Sequence, residues 1–245
     1  MAHARASGTV TWKNKQYKFS DQPFYSEKNW GGSFPLKWYW IQCNSFLNEP
    51  NLAVTAGGGI RKLPFLGDKT EQLGLVGVHY NNIFYEAVPW TGTMEWEVTE
   101  WGSWKFLGRC TSSGLSKRLF EVEVEASCTD DVPGIKLRAP TKDEGMVYFC
   151  RDSFYATVTL SLYHLDYDSN LKKYNRSINK PPIIEKAISH QCAVEVGGGP
   201  WWDTWKGKSD MKQPMKSMIQ LPYIAKQSKE KLKNLFRKRN KNKNQ

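Results

Sequence analysis

Hydrophobic and polar residues alternate with a period of two along most of the chain. Phe120, Val122, Val124 and Ala126 alternate with Glu121, Glu123 and Glu125, which predicts a strand with one dry and one wet face. The pattern recurs between Phe154 and His164, with Ala156, Val158, Leu160 and Leu162 inward and Thr157, Thr159, Ser161 and Tyr163 opposite. The run Lys37-Trp38-Tyr39-Trp40-Ile41-Gln42 is aromatic on both faces and predicts a strand covered on both sides. Asn81-Asn82 separates two further runs, Leu75–Tyr80 and Ile83–Val88, as a two-residue hairpin turn does. Breaks fall at Gly57-Gly58-Gly59, from Pro89 to Gly92, at Pro133-Gly134 and at Gly197-Gly198-Gly199-Pro200. The first of these reads as a bulge or barrel corner. Many short strands, with no helical runs between them and no internal repeat, predict an all-β antiparallel barrel or sandwich. Only the end departs from this. After Pro214, and again after Pro222, Ile224, Leu232, Leu235 and Phe236 share one face ringed by Lys and Arg, which predicts a basic amphipathic helix.

Charge sharpens that division. The 245 residues carry a net charge of +11, and Lys206 to Gln245 hold 13 basic and 2 acidic residues, so residues 1–205 are neutral in sum. The expected units are a body, 1–207, and a basic tail, 208–245. Any case for nucleic acid would rest on the tail alone, where Tyr223 and Phe236 are the only aromatics. No nucleic-acid partner is expected. The tail is either solvated or in peripheral contact with an anionic membrane. No stretch approaches ~18 uninterrupted apolar residues, so no transmembrane helix is expected. The start MAHARASGTVTW lacks the apolar core and cleavage site of a secretory signal. Cys43, Cys110, Cys128, Cys150 and Cys192 lie far apart, which predicts reduced thiols in a cytosolic or plastid-like compartment.

Neither a dinucleotide glycine motif, a P-loop nor a nucleophile elbow is present, and His3, His79, His164 and His190 lack metal-ligand spacing. No cofactor and no metal are expected. The aromatic content is what stands out. Trp30, Trp38 and Trp40 form one cluster, Trp90, Trp96, Trp101 and Trp104 a second, and Trp201, Trp202 and Trp205 a third. Two readings stand: the indoles fill a core, or they line a pocket for a long apolar ligand and stabilise a passing cation.

Particular blocks go further. Tyr25-Ser26-Glu27-Lys28-Asn29-Trp30-Gly31-Gly32-Ser33-Phe34-Pro35 is followed by Trp38-Tyr39-Trp40-Ile41-Gln42-Cys43-Asn44, Thr55-Ala56-Gly57-Gly58-Gly59, Gly77-Val78-His79-Tyr80 and Phe84-Tyr85-Glu86-Ala87-Val88-Pro89-Trp90. Leu137-Arg138-Ala139-Pro140-Thr141, Cys150-Arg151-Asp152-Ser153, Ala193 to Trp201 and Thr204-Trp205-Lys206-Gly207 complete the series. In this order the blocks closely resemble the tocopherol cyclase family, which forms the chromanol ring of vitamin E, and the resemblance spans residues 1–207. Three features depart from the family. Its members carry a further long stretch before this point, so an N-terminal domain or partner chain is expected to be missing. The tail is more basic than usual, and Ala87 and Thr91 stand where F-Y-E-F-V-P-W-N-G has an aromatic residue and Asn.

The resemblance implies a lipocalin-like barrel peripheral to a membrane and a prenylated (phytyl) benzoquinol as substrate. The implied reaction adds the phenol oxygen across the first prenyl double bond. It transfers no electrons and requires no cofactor. The protein must protonate the alkene, hold the tertiary cation near the oxygen and exclude water. A non-catalytic lipid or prenylquinol carrier and a prenyl hydratase are the alternatives. Glu27, Glu86, Asp152, Glu195 and Asp203 are the candidate acids in family-like blocks. Tyr25 and Glu27 share a strand face, where the phenol can orient the carboxyl. Tyr25-x-Glu27-x-Asn29-x-Gly31 is similar to the Y-x-D-x-N-x-G pattern of carotenoid hydratases, whose acidic position is the proposed proton donor. The donor role therefore falls on Glu27, expected to be desolvated by Phe24, Trp30 and Phe34. Asp152 comes next, with Arg151 expected to face away from it, and Glu195 is expected to face solvent or hold the Gly197 corner. Asn29, Trp30, Trp40, Glu86, Trp90 and Trp201 are expected against the substrate.

Overall fold

A computed structural model describes residues 3–28, 34–63, 67–111, 118–141, 144–209, 211, 213–222, 224–226 and 228. It opens with β1 (Ala4–Trp12) and β2 (Lys15–Phe24), a hairpin turned at Lys13 and Asn14, whose φ of 46° and 62° suit a tight two-residue turn. The body consists of β3 (Lys37–Cys43), β4 (Leu52–Lys62), β5 (Thr70–Tyr80), β6 (Ile83–Ala87), β7 (Gly92–Val98), β8 (Ser103–Cys110), β9 (Phe120–Ser127), β10 (Ile135–Thr141), β11 (Gly145–Asp168), β12 (Lys173–Arg176), β13 (Ile184–Gly198) and β14 (Trp205–Ser209). These pair antiparallel in the order β14-β7-β8-β9-β11-β13-β3-β4-β5-β6, with β10 and β12 also on β11. The expected all-β, antiparallel class is what the chain adopts. Asn81 and Asn82, at φ 48° and 63°, turn β5 into β6 as the alternation predicts.

The sheet curls but does not close into a barrel by hydrogen bonds; its ladder ends at β14 on one side and β6 on the other. Side chains fill the seam instead. Tyr39, Trp96 and Trp205 pack with ring centroids 5.4–5.5 Å apart, and Trp205 Nε1 donates to Gln72 Oε1 of β5 at 3.1 Å. The inward residues of β9 and β11, among them Phe120, Val122, Val124, Val158, Leu160 and Leu162, are fully buried as the period of two demands. The interior is thus packed with side chains, Trp104 included.

Two expectations are corrected. Glu121 is not on a wet face but 2% exposed, held between Arg109 and Arg176, whose Nε atoms both donate to it. Alternation tells which way a side chain points but not what covers that face. Gly57-Gly58-Gly59 is neither bulge nor corner, because β4 runs in unbroken register with β3 and β5 through all three glycines. A Cβ at Gly58 would lie 2.6 Å from the Tyr39 ring and 2.7 Å from the Leu73 carbonyl, so the glycine is there to admit an aromatic ring.

Past β14, helix covers 215–222, 224–226 and 228, starting directly after Pro214. Gln213 Oε1 accepts from the Ser217 amide at 3.1 Å, and Gln220 Nε2 donates to the Trp90 carbonyl at 2.7 Å, so the start of the tail is tied to the body. β14 itself runs through the expected 207/208 boundary to Ser209. Leu232, Leu235 and Phe236 lie outside the described residues. No helix among the described residues is long and apolar enough to cross a membrane.

Candidate functional site

The period of two divides β3 between two environments. Tyr39, Ile41 and Cys43 point into the core cluster, so Trp38 and Trp40 point to the outer face. Across that outer face Trp40 is in register with Gly57 of β4 and Glu195 of β13, and Glu195 with Asp152 of β11. Small residues on β4 and β5 (Ala53, Thr55, Gly57 and Gly77) leave a low floor beside this row. The segment after β2 crosses above it and encloses a groove of about 430 Å³, lined by Tyr25, Glu27, Thr55, Gly77, His79 and Phe84 among others. Tyr25 packs on Trp40 with ring centroids 5.6 Å apart, and its hydroxyl donates to Glu27 Oε2.

Beside the groove stand two carboxyls in a drier setting. Trp38 Nε1 donates to Glu195 Oε1. Burial pushes the Glu195 carboxyl above the usual carboxylate range; the Trp38 and Cys150 hydrogen bonds oppose this, and the negative charges of Asp152 and Glu27 add to it. Burial also pushes Asp152 up, and its Oδ1 is buried without a hydrogen-bond partner. Arg151 does face away from it: its guanidinium lies 4.5 Å from the Trp101 ring and its Nε donates to the Pro133 carbonyl at 2.5 Å. Among the described residues neither Asp152 nor Glu195 belongs to a salt bridge. The Cys150 thiol is pushed well up, first by burial and then by the Glu195 charge. No group of three or more His, Cys, Asp or Glu able to hold a metal ion occurs among the described residues.

Residues 1–198 match the family model described as tocopherol cyclase-like. The chain belongs to the tocopherol cyclase family. It is 40% identical over 223 residues to the tocopherol cyclase, chloroplastic, of Zea mays, an alignment covering 91% of this chain and 43% of that protein. It is 42% identical over 208 residues to the probable tocopherol cyclase, chloroplastic, of Oryza sativa subsp. japonica, covering 84% of this chain and 40% of that one. The chain therefore spans less than half the length of these two relatives. No solved structure matches it. The tocopherol cyclase-like match takes in β3, β4, β5, β11 and β13, the strands that build the outer row and groove, and stops before β14.

Of the residues predicted for a tocopherol cyclase site, Tyr25, Glu27, Trp40 and Asp152 come together on this one face. Glu86 is opposite Gly77 across β5 and β6, at the groove's edge. Trp201 lines a different depression of about 370 Å³ with Tyr148, Phe149, Cys150 and Gly197, under the Lys37 ammonium at 4.0 Å. Trp90 sits on the turn between β6 and β7 and lines neither depression. Asn29 and Trp30 lie outside the described residues. Glu27 is exposed, as are Phe24 and Phe34, so among the described residues those two rings do not bury its carboxyl, and Trp30, the third expected neighbour, lies outside them. The segment carrying Glu27 lies over the outer face of the sheet, with Tyr25 packed on Trp40. Glu195 is the residue sequence reasoning undervalued. Its outward direction follows from alternation, but Trp38 and β11 make that side half-buried. A signal was present: Glu195 is the one charged residue in the run Ala193 to Gly199.

Proposed function

We propose that this chain is a plastid enzyme that closes the chromanol ring of a prenylated (phytyl) benzoquinol on the outer face of β3. The observation that carries the reading is a carboxyl row set against Trp38, Trp40 and Tyr25, in a chain of the tocopherol cyclase family. Protonation of the alkene CH carbon leaves a tertiary cation, a lone pair of the phenol oxygen closes the C–O bond, and the phenolic proton departs to a base. The sum is an isomerisation, with no oxidant or reductant consumed. The faces of Trp40 and Tyr25 suit a developing cation. Two proton-handling units stand ready, Tyr25–Glu27 in the groove and Glu195–Asp152 beside it, and the chemistry needs one to give a proton and the other to take one.

Product analysis tests this. The chain incubated with a prenylated benzoquinol in liposomes should yield the chromanol, and Trp40→Ala should abolish most of it. Quinol that binds and is recovered unchanged would mark a carrier, and a tertiary alcohol would mark a hydratase. The substrate is dissolved in membrane, and the eight Lys or Arg within 229–245 supply the attraction to an anionic surface, each worth about 1 kcal/mol close to it. Removing 229–245 should therefore weaken sedimentation with anionic liposomes at low salt while leaving the strand signal in circular dichroism intact. Unchanged liposome binding would contradict the role given to the tail.

A further inference from the structure

We propose that Glu195 and Asp152 hold a single proton between them and are the acid of the groove, leaving the exposed Tyr25–Glu27 pair to accept the phenolic proton. The catalytic half of this rests on the cyclisation reading; the shared proton does not.

The register places Glu195 of β13 directly opposite Asp152 of β11 on the same outer face. The groups facing Glu195 are Asp152 and Cys150 from β11, Trp38 and Trp40 from β3, and Glu27 from the segment above. Both charged groups in that set, Asp152 and Glu27, are acids. Trp38 supplies one neutral donor, Asp152 Oδ1 has none, and no cation is bridged to either carboxyl among the described residues. Two carboxylates adjacent in a half-dry site cannot both ionise at modest cost, and a buried carboxylate oxygen without a donor is costlier still. Retaining one proton on the pair cancels one like charge and so lifts the repulsion between the two acids. The upward push on both groups agrees with this geometry. Glu27 is the contrast, solvent-exposed and already accepting from Tyr25. Environments this different separate an acid from a base. In the cycle the pair gives its proton to the alkene CH carbon, the phenol proton passes to Glu27 as the C–O bond forms, and return of a proton to the pair restores the start.

The test uses the whole chain with carboxyl carbons labelled with 13C. The Glu195 resonance, identified by its loss in Glu195→Gln, should titrate above the ordinary glutamate range. Asp152→Asn removes the like charge and should move the midpoint down. Trp38→Phe removes a hydrogen bond to the ionised form and should move it up. A Glu195 midpoint within the ordinary range, or one indifferent to Asp152→Asn, overturns the shared proton. For catalysis, Glu195→Gln keeps the shape and the acceptor for Trp38, so a folded variant should lose at least ~100-fold in kcat. Chromanol formation by that folded variant within a few-fold of the parent overturns the acid assignment. If the parent chain forms no chromanol while the titrations behave as stated, the cyclisation reading fails and the shared proton stands.

Discussion

Tyr39 and Trp40 are consecutive residues of one strand, yet they belong to different parts of the molecule. Tyr39 is 1% exposed and packs against Trp96, Phe106 and Trp205 inside the curled sheet. Trp40 is half-buried on the outside, packed by Tyr25 and beside Gly57, with Glu195 as its partner in register on β13. The aromatic load of this chain is divided in the same way. The inner share (Trp96, Trp104 and Trp205) fills space that a ligand would otherwise take, and the outer share borders acids. The proposed reading therefore puts the chemistry on the wall and not in the lumen.

Large-to-small changes should separate the two faces most strongly. Tyr39→Ala should cost about 3–5 kcal/mol in urea unfolding, the usual range for an emptied aromatic core site. Trp40→Ala should cost less, about 1–2 kcal/mol, because the ring is partly exposed on the outer face, and should lose chromanol formation. Equal stability losses would show that the outer face is merely more core. The two adjacent glycines repeat the comparison on a smaller scale. Gly58→Ala drives a methyl into the Tyr39 ring and should cost about 1–3 kcal/mol. Gly57→Ala meets Trp40 Cδ1 at an ordinary 3.5 Å and should leave stability nearly unchanged while raising KM by crowding the Trp40 ring. A Gly57→Ala protein as unstable as Gly58→Ala would break the distinction.

The smallest of these effects is a pH dependence. Because burial first, and the Asp152 charge after it, raise the Glu195 carboxyl in the folded state, the folded chain binds its proton more tightly than the unfolded chain does. The stability so gained is full below the unfolded value of about 4.3 and is lost as pH rises through the raised folded value. Wild-type unfolding free energy should fall across that window. Glu195→Gln should flatten the slope and be more stable at neutral pH by on the order of 1 kcal/mol. Parallel pH curves for the two proteins would contradict the assignment.

What was legible from residue order divides along the same line as the molecule. Side-chain direction was legible on β3, β9 and β11 because a period of two follows from strand geometry alone. Tyr25 and Glu27 are a correction to that rule: β2 ends at Phe24, so no strand period holds them on one face, and they meet through a hydrogen bond in the irregular segment that follows. What covers a face was not legible, because the covering residues come from strands remote in the chain. Glu121 reads as wet although Arg109 and Arg176 close over it, Glu195 as solvent-facing although Trp38 and β11 flank it, and Glu27 as buried although its side chain is exposed. Barrel closure failed on similar grounds: the seam is occupied by rings from β3, β7 and β14, which no local pattern brings together.

The central claim, that the outer face of β3 delivers a proton to a prenyl double bond and lets the phenol oxygen capture the cation, is tested most directly by running the reaction in D2O. Each chromanol formed should carry one non-exchangeable deuterium on the ring CH2 that was the alkene CH, and mass spectrometry after washing out the phenolic deuterium should show a shift of about one mass unit. Its formation should collapse in Glu195→Gln. Chromanol without that deuterium, or a deuterated tertiary alcohol in its place, would contradict the account.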